Sequence, residues 1–266
     1  KIVKKKQGLL LVNTLTLREY LYGVVPSEMP TEYQKEALKA QAVCARSYAI
    51  KQMAGKRLAA LGAHVDDSVS FQVYNNLRED AASIAAVNET KGQVVFAENQ
   101  VAETYFYSVS AGVSAGIKEV WFAKKDRSYL MPCVLLGDSR KTLDLQKEAD
   151  FSEFLQGEIK SYDTNSPWYR WRTTVSEKQL QQFISEKIKS RYEKNPTQIQ
   201  TKQKDGTFFS TGQTELGEIK KVEILKRGKS GVAVMAQITG SKNTLRIYTE
   251  YNLRNLFGGE KLIYLR

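Results

Sequence analysis

One glutamate of the chain lies where a catalytic acid could be held rigidly. Glu28 is flanked by two prolines in the run Pro26-Ser27-Glu28-Met29-Pro30, between an amphipathic segment and a long alanine-rich segment. Proline fixes its own φ and biases the residue before it away from helix. We therefore expect Glu28 in a tight turn between two helices, where its carboxylate has little freedom to relax into water. Such a position suits an acid catalyst, and a helix N-terminal cap ligand is the alternative role.

Arg46 is the second group that could do chemistry here. Apolar residues recur every three or four positions in the alanine-rich segment, which predicts a helix with one buried stripe: Leu38, Ala42, Ala45, Ala49 and Met53. Arg46 lies one position beyond this stripe, where its guanidinium could project toward the turn. A direct ion pair would lower the pKa of Glu28 by roughly one to three units, the opposite of what an acid catalyst requires. We therefore favour a substrate-holding or loop-orienting role, with a surface ion pair to Glu28 or Glu36 as the alternative.

No second carboxylate has a clear role in the sequence. Acid–base mechanisms that use carboxylates often need two of them, one as acid and one as nucleophile or base. Asp67 and Glu119 are possible partners, although such residues are more often solvated loop charges. The chain has two cysteines, one histidine (His64) and no CxxC pair, which argues against a zinc site. The sequence thus favours chemistry that needs one carboxylate.

A loop of small residues follows an aromatic, strand-like segment. Ser108 and Ser110 open the stretch 108–116, whose lean side chains would leave room for a flat ligand. Their hydroxyls could hydrogen-bond such a ligand, and ordinary turn chemistry explains them equally well. Several aromatic residues suit stacking on a flat ligand, and we expect one or two of them to reach a substrate: Tyr105, Tyr107, Trp121, Trp168, Tyr169 and Trp171.

The chain is strongly basic, with 266 residues, a formal net charge of +11 at pH 7 and a pI near 9.4. Nucleic acid, an acidic membrane surface or a wall rich in phosphate polymers would fit this charge, and so would a solvated basic surface. No nucleic-acid-binding motif accompanies the lysines, so we expect no nucleic-acid partner. No apolar run approaches the ~20 residues of a membrane span. The chain opens on Lys1-Ile2-Val3, so we expect a missing N-terminal targeting element or membrane anchor.

The remaining pattern mixes helices with antiparallel hairpins and predicts an α+β fold. Thr16 is a candidate N-cap for a helix to Tyr22, and Thr31 for the helix after the turn. Further helices are predicted at Glu148–Leu155, from Ser176 to about Tyr192 and at Glu250–Leu256. Strands are predicted at Leu9–Val12, Gln93–Phe96, Val101–Tyr107, Ser166–Val175, Ile219–Leu225, Val232–Thr239, Thr244–Tyr248 and Lys261–Leu265. We expect one domain over residues 1–266, and the pattern is compatible with two lobes around a groove. Residues 193–212 are expected to form an exposed excursion.

Several sequence blocks carry a resemblance to a known family. The first fifty residues contain LREYL (17–21), VPSEMP (25–30), EALKAQAV (36–43) and ARSYA (45–49). Shorter blocks follow in order: Gln72-Val73-Tyr74, Thr90-Lys91-Gly92, Ser108 with Ser110, Glu119-Val120-Trp121, Tyr169-Arg170-Trp171 and Leu253-Arg254. With these blocks the chain resembles the stage II sporulation protein D family, also called the SpoIID/LytB domain, over nearly its whole length.

The resemblance implies a lytic transglycosylase, an enzyme that cuts peptidoglycan between N-acetylmuramic acid and N-acetylglucosamine and leaves a 1,6-anhydro sugar. Such an enzyme needs one carboxylate, because the substrate's own C6 hydroxyl is the nucleophile. The family's catalytic glutamate falls on Glu28 and an important arginine on Arg46. Arg170 is the nearest candidate for a later basic residue of the family. The expected glycan-binding residues are then Arg46, Ser108, Ser110, Tyr169 and Arg170.

The resemblance also implies an extracytoplasmic location, in the wall or between mother cell and forespore, and glycan stripped of stem peptides by a partner amidase. LytB-type relatives suggest a different function, that of a non-catalytic amidase enhancer that binds wall, and a basic nucleic-acid-binding domain is a distant third. Some members bind zinc through a His-Cys pair where this chain has Ser70-Phe71, so we expect neither metal nor other cofactor. We expect a glycan groove walled by the 31–53 helix, the 108–116 loop and the 166–171 segment.

Overall fold

A computed structural model of the chain describes residues 1–5, 8–121, 123, 127–135, 143–157 and 160–259. These residues fall into two compact units, residues 1–107 and 108–266. Seven helices and nine strands in antiparallel sheets occur within the described ranges, which confirms the α+β class. Each unit has a hydrophobic core of its own.

Three helices build the core of the first unit. They are α1 (Leu17–Glu28), α2 (Lys35–Met53) and α3 (Ala81–Glu89), with a 3-10 turn at Ala59–Leu61. Two short hairpins accompany them: β1 (Ile2–Lys5) with β2 (Gly8–Leu11), and β3 (Phe96–Ala97) with β4 (Gln100–Val101). The core contains Leu21, Val24, Val25, Leu38, Ala42, Ala45, Ala86 and Val87. The small alanines let the helices approach closely, as the buried stripe predicts, although Met53 at its end is 47% exposed.

The two predicted helix caps have different outcomes. The capping box at Thr16 is confirmed, because its hydroxyl accepts from the Glu19 N–H while its own N–H donates to the Glu19 carboxylate. The prediction for Thr31 is wrong, since Gln34 occupies the N-cap of α2. The Tyr33 N–H bonds the Pro30 carbonyl, and this turn delays the start of the helix.

A five-stranded antiparallel sheet in the order β6-β5-β9-β8-β7 organises the second unit. Its strands are β5 (Ile199–Lys202), β6 (Phe208–Phe209), β7 (Ile219–Arg227), β8 (Ala233–Gly240) and β9 (Thr244–Tyr248). Helices α6 (Glu177–Lys194) and α7 (Glu250–Leu256) share a buried cluster with one face of the sheet. The unit also contains α4 (Ile117–Val120), α5 (Glu148–Gln156) and a 3-10 turn at Pro196–Gln198.

Most predicted elements of this unit are confirmed, and two differ. The helices α5, α6 and α7 and the strands β7 to β9 lie where the sequence predicts them. The predicted strand Ser166–Val175 is wrong, because its first half forms turns and its second half has no regular structure. Residues 193–212 are not only an exposed excursion, since β5 pairs with β9 there and buries Ile199 and Thr201. The predicted strand Lys261–Leu265 lies outside the described residues.

Candidate active site around Glu28

Glu28 is the last residue of α1. The helix continues through Pro26 instead of ending at Tyr22, so the prediction of Glu28 in a loop between two helices is wrong. Pro26 has no N–H to donate, and the Ser27 hydroxyl adds a bond in this turn by donating to the Gly23 carbonyl at 2.7 Å. The carboxylate of Glu28 is thus positioned by a helix end, a more rigid support than the expected loop.

The segment of residues 72–75, which contains the Gln-Val-Tyr motif, is fastened to this helix end. The Val73 N–H donates to Glu28 Oε1 at 2.7 Å, and the Asn75 N–H donates to the Ser27 hydroxyl at 3.0 Å. Within the described part of the chain, Glu28 Oε2 has no hydrogen-bond partner. Since the carbonyl oxygen of a neutral carboxyl is a stronger acceptor than its hydroxyl oxygen, the Val73 N–H favours Oε1 as the carbonyl oxygen and the proton on Oε2.

Aromatic packing fixes the same segment against α1. The rings of Tyr20 and Tyr74 stack with centroids 6.0 Å apart, and the Tyr20 hydroxyl donates to Gln72 Oε1 at 3.2 Å. Tyr74 also lies so close to Gly23 that an added Cβ would approach its ring to 2.4 Å. Gln72 is completely buried. Glycine at position 23 therefore makes room for the ring that holds the Val73 amide beside Glu28.

Burial raises the pKa of Glu28, and the hydrogen bond from Val73 N–H lowers it by less. The last turn of α1 contains no basic residue, and the negative end of the helix dipole adds to the cost of ionising a carboxyl there. Burial also raises the pKa of Tyr20 and of Tyr48, and the charge of Glu28 is a smaller cause in both cases. These features together favour the protonated form that an acid catalyst needs.

The charge of a second carboxylate, that of Asp66, acts on the same tyrosines. After burial, the charge of Asp66 is among the causes that raise the pKa of Tyr20 and of Tyr48. Its side chain accepts hydrogen bonds from the backbone and hydroxyl of Ser68. Asp67, the residue singled out in the sequence, is exposed and contributes its backbone carbonyl to the Tyr74 N–H at 3.3 Å.

Arg46 lies in the interior of the first unit, with its side chain directed to the end of α3. Its guanidinium donates to the carbonyls of Val87 and Gln93, both at 3.0 Å, and to the Thr90 hydroxyl at 3.3 Å. Burial lowers its pKa, and the residue is 6% exposed. No carboxylate among the described residues pairs with it, so these contacts favour a positioning role over both an ion pair with Glu28 and a group facing substrate.

The other predicted binding residues lie in the second unit. Ser108 is exposed, whereas Ser110 donates through its N–H and its hydroxyl to the Asp163 carboxylate, at 2.8 and 2.9 Å. Arg170 donates to three carbonyls near the end of α5 and lies 5.2 Å from the ring centroid of Tyr169. Glu119 bonds Gly116 and Ser230 within this unit. The described contacts of Ser110, Arg170 and Glu119 are thus internal ones.

The surface near the helix end is open. A depression of about 400 Å³ is lined by Pro26, Pro30, Thr31, Glu32, Leu77, Arg78, Glu79 and Asp80. Glu28 itself is not among these lining residues.

Across the described ranges, no group of three or more His, Cys, Asp or Glu residues could hold a metal ion. No described helix has the length and apolar composition needed to cross a membrane.

Comparison with known proteins finds two family models that match separate parts of the chain. Residues 5–96, which contain Glu28, Arg46 and the 72–75 segment, match the model of the family described as stage II sporulation protein (SpoIID). Residues 115–205 match a separate model, described only as a domain of unknown function (DUF8618). The N-terminal part of the chain, residues 5–96, is thus similar to the SpoIID family. The extension of one SpoIID-type domain over residues 1–266 stays a prediction.

Relatives of two kinds are similar to the same part of the chain. Stage II sporulation protein D of Bacillus amyloliquefaciens is 36% identical over 124 residues, which cover 41% of this chain and 36% of that protein. An amidase enhancer of Bacillus subtilis is 35% identical over 113 residues, which cover 40% of this chain and 15% of that protein. The chain thus matches about a third or less of each of these relatives.

Proposed function

We propose that this chain is a peptidoglycan lytic transglycosylase in which Glu28 is both acid and base. The observation that carries the proposal is a half-buried carboxyl with a raised pKa, bonded at Oε1 by the Val73 N–H and free of bonds at Oε2. The match of residues 5–96 to the SpoIID family model supports it. A single such group suffices when the nucleophile comes from the substrate.

The reaction proceeds in two proton transfers through one atom. Protonated Glu28 gives the proton on Oε2 to the glycosidic oxygen between N-acetylmuramic acid and N-acetylglucosamine, and the bond from that oxygen to C1 breaks. The C6 hydroxyl of the muramic acid then attacks C1. Glu28, now ionised, accepts the hydroxyl proton as the 1,6-anhydro ring closes. No water is consumed, and the carboxyl returns to its starting state.

The neighbours of Glu28 contribute orientation and pKa control. The Val73 N–H keeps Oε1 occupied, so that the reacting proton stays on Oε2 in both steps. Arg46 has a positioning role, because its hydrogen bonds hold the end of α3 and the residues that follow this helix. Binding of glycan by Ser108, Ser110, Tyr169 and Arg170 remains part of the proposal, and Ser108 is the exposed hydroxyl among them.

The proposed setting is the bacterial wall. We place the protein outside the cytoplasm, acting on glycan strands from which a partner amidase has removed the stem peptides. The names of the similar proteins, stage II sporulation protein D and amidase enhancer, support a role of this kind. The net charge of +11 suits a wall rich in phosphate polymers.

One experiment tests the activity. Purified protein is incubated with peptide-free glycan strands, and products are analysed by mass spectrometry for 1,6-anhydro ends. We expect these ends from the wild type and none from Glu28→Gln, which keeps an acceptor for the Val73 N–H but cannot donate or accept the reacting proton. Hydrolytic reducing ends, or equal product from the variant, would refute the mechanism.

A non-catalytic amidase enhancer is the second candidate, favoured by the similarity to the B. subtilis amidase enhancer. In that case the protein would bind wall and raise the activity of an added wall amidase without forming anhydro ends. Wild type and Glu28→Gln would then stimulate the amidase equally. Measuring amidase products and anhydro ends in the same reaction separates the two functions.

A further inference from the structure

The five-stranded sheet has a polar face that is distinct from the site around Glu28. Gln200, Arg246 and Gln237 lie opposite one another on β5, β9 and β8. Because side chains alternate along a strand, Tyr248 and Lys202 lie on the same face, two residues from Arg246 and Gln200. The opposite face carries Ile199, Leu245 and Ile247, which belong to the buried cluster shared with α6 and α7. We call the first of these the polar face.

Arg246 lies on the central strand β9, and its side chain is held in place without a counter-ion. Its guanidinium carbon lies 3.8 Å from the ring centroid of Phe208, and its Nε donates to Gln237 Oε1 at 3.4 Å. Within the described residues no carboxylate pairs with Arg246. The neighbouring Tyr248 hydroxyl donates to Gln200 Oε1 at 3.1 Å. The guanidinium is therefore oriented in advance for an anion and lies among amide groups that can bond sugar or polyol hydroxyls.

The charge around Arg246 is also positive. Lys202 is exposed on β5, and Lys221 and Lys226 are exposed on β7, where register places them beside Thr239 and Met235 of the polar face. Glu223 is the carboxylate that the register brings to this face, and Lys221 pairs with it at 2.7 Å. Four basic side chains thus face one acid, and they are spread along the strands, which matches a linear anion better than a small one.

We propose that the polar face binds a linear phosphodiester polymer of the cell wall, with Arg246 on a phosphate and the amides of Gln200 and Gln237 on polyol hydroxyls. The choice of a wall polymer rests on the extracytoplasmic setting of the proposed function. Single-stranded nucleic acid is disfavoured by the face itself, because base stacking needs open aromatic rings. The guanidinium of Arg246 covers one side of Phe208, and Tyr248 is half-buried and bonded to Gln200. This site would hold the protein on its substrate, independently of cleavage.

The test measures binding of the full chain to synthetic poly(glycerol phosphate) by isothermal titration calorimetry at low and moderate salt. We expect salt-sensitive binding that weakens about tenfold in Arg246→Gln, the loss of one charge-assisted contact. The double variant Lys202→Gln/Lys221→Gln, confined to exposed positions, should weaken binding by a similar factor even if Arg246→Gln folds poorly. Circular dichroism checks the fold of each variant.

Matched controls distinguish this site from general charge. Lys178→Gln/Lys189→Gln removes the same two charges from exposed positions of α6, the helix on the opposite face, and should change affinity by less than about twofold. Glu28→Gln should bind the polymer like the wild type, so this result is separate from the transglycosylase assay. No binding by the wild type, an equal loss in the α6 control, or equal or tighter binding of single-stranded DNA at the same salt would overturn the proposal.

Discussion

Replacing Arg46 with methionine should destabilise the first unit, because its guanidinium completes the end of α3. The side chain donates three hydrogen bonds, to the carbonyls of Val87 and Gln93 and to the Thr90 hydroxyl. At about 1 kcal/mol net for each bond, the free energy of unfolding should fall by about 3 kcal/mol. Arg46→Lys keeps a cation but fewer donors in a fixed geometry, so its loss should be intermediate.

The assay is urea unfolding of the full chain followed by far-UV circular dichroism, with Arg78→Met as control. Arg78 is exposed, and its replacement should change the free energy of unfolding by no more than about 0.5 kcal/mol. Peptide-level hydrogen exchange should then show the lost protection in α3 and in the residues that follow it. If Arg46→Met unfolds like the wild type and yet abolishes glycan cleavage, Arg46 acts on substrate and the positioning role is refuted.

Four further predictions concern the helix end at Glu28. Ser27→Ala removes the acceptor of the Asn75 N–H, so the Val73 amide should hold Glu28 less firmly. We expect a lower kcat with little change in KM, measured by anhydro-product kinetics. The free energy of unfolding should fall by about 1 kcal/mol, measured by thermal unfolding. Gly23→Ala places a Cβ 2.4 Å from the Tyr74 ring, and the displaced ring should cost about 1–3 kcal/mol of stability and lower Tm. Because burial raises the folded-state pKa of Glu28 above its unfolded value, kcat/KM should fall as the pH rises through that raised pKa. By the same linkage, the stability of Glu28→Gln relative to wild type should increase as the pH rises above the ordinary glutamate range and shrink in acid, measured by urea unfolding across pH.

Local sequence patterns predicted the elements whose causes are local. The helix predicted from Ser176 and the strand predicted at Thr244–Tyr248 are both present, and the helix begins with a capping box between Ser176 and Gln179. The extent of α1 was not predictable in this way, because proline usually ends a helix. The added bond from the Ser27 hydroxyl and the packing of Tyr74 on Gly23 are tertiary details that no propensity contains.

The candidate site shows the same division. The double-proline pattern identified Glu28 as the notable carboxylate, but the backbone N–H of Val73 that bonds it carries no side-chain signal in the sequence. For Arg46 the helical stripe gave a position at the edge of the core, whereas its partners come from a helix end some forty residues away along the chain. Asp67 was singled out instead of Asp66, because the sequence does not show which of two adjacent aspartates acts through its charge on Tyr20 and Tyr48.

The most direct test of the account is the chemical nature of the ends that the protein leaves on peptide-free glycan strands. With wild type, mass spectrometry should detect 1,6-anhydro-N-acetylmuramic acid ends, and with Glu28→Gln, folded by circular dichroism, it should detect none. Undiminished anhydro ends from the variant, or no cleavage by the folded wild type, would contradict the central claim that Glu28 is the acid and base of a lytic transglycosylase.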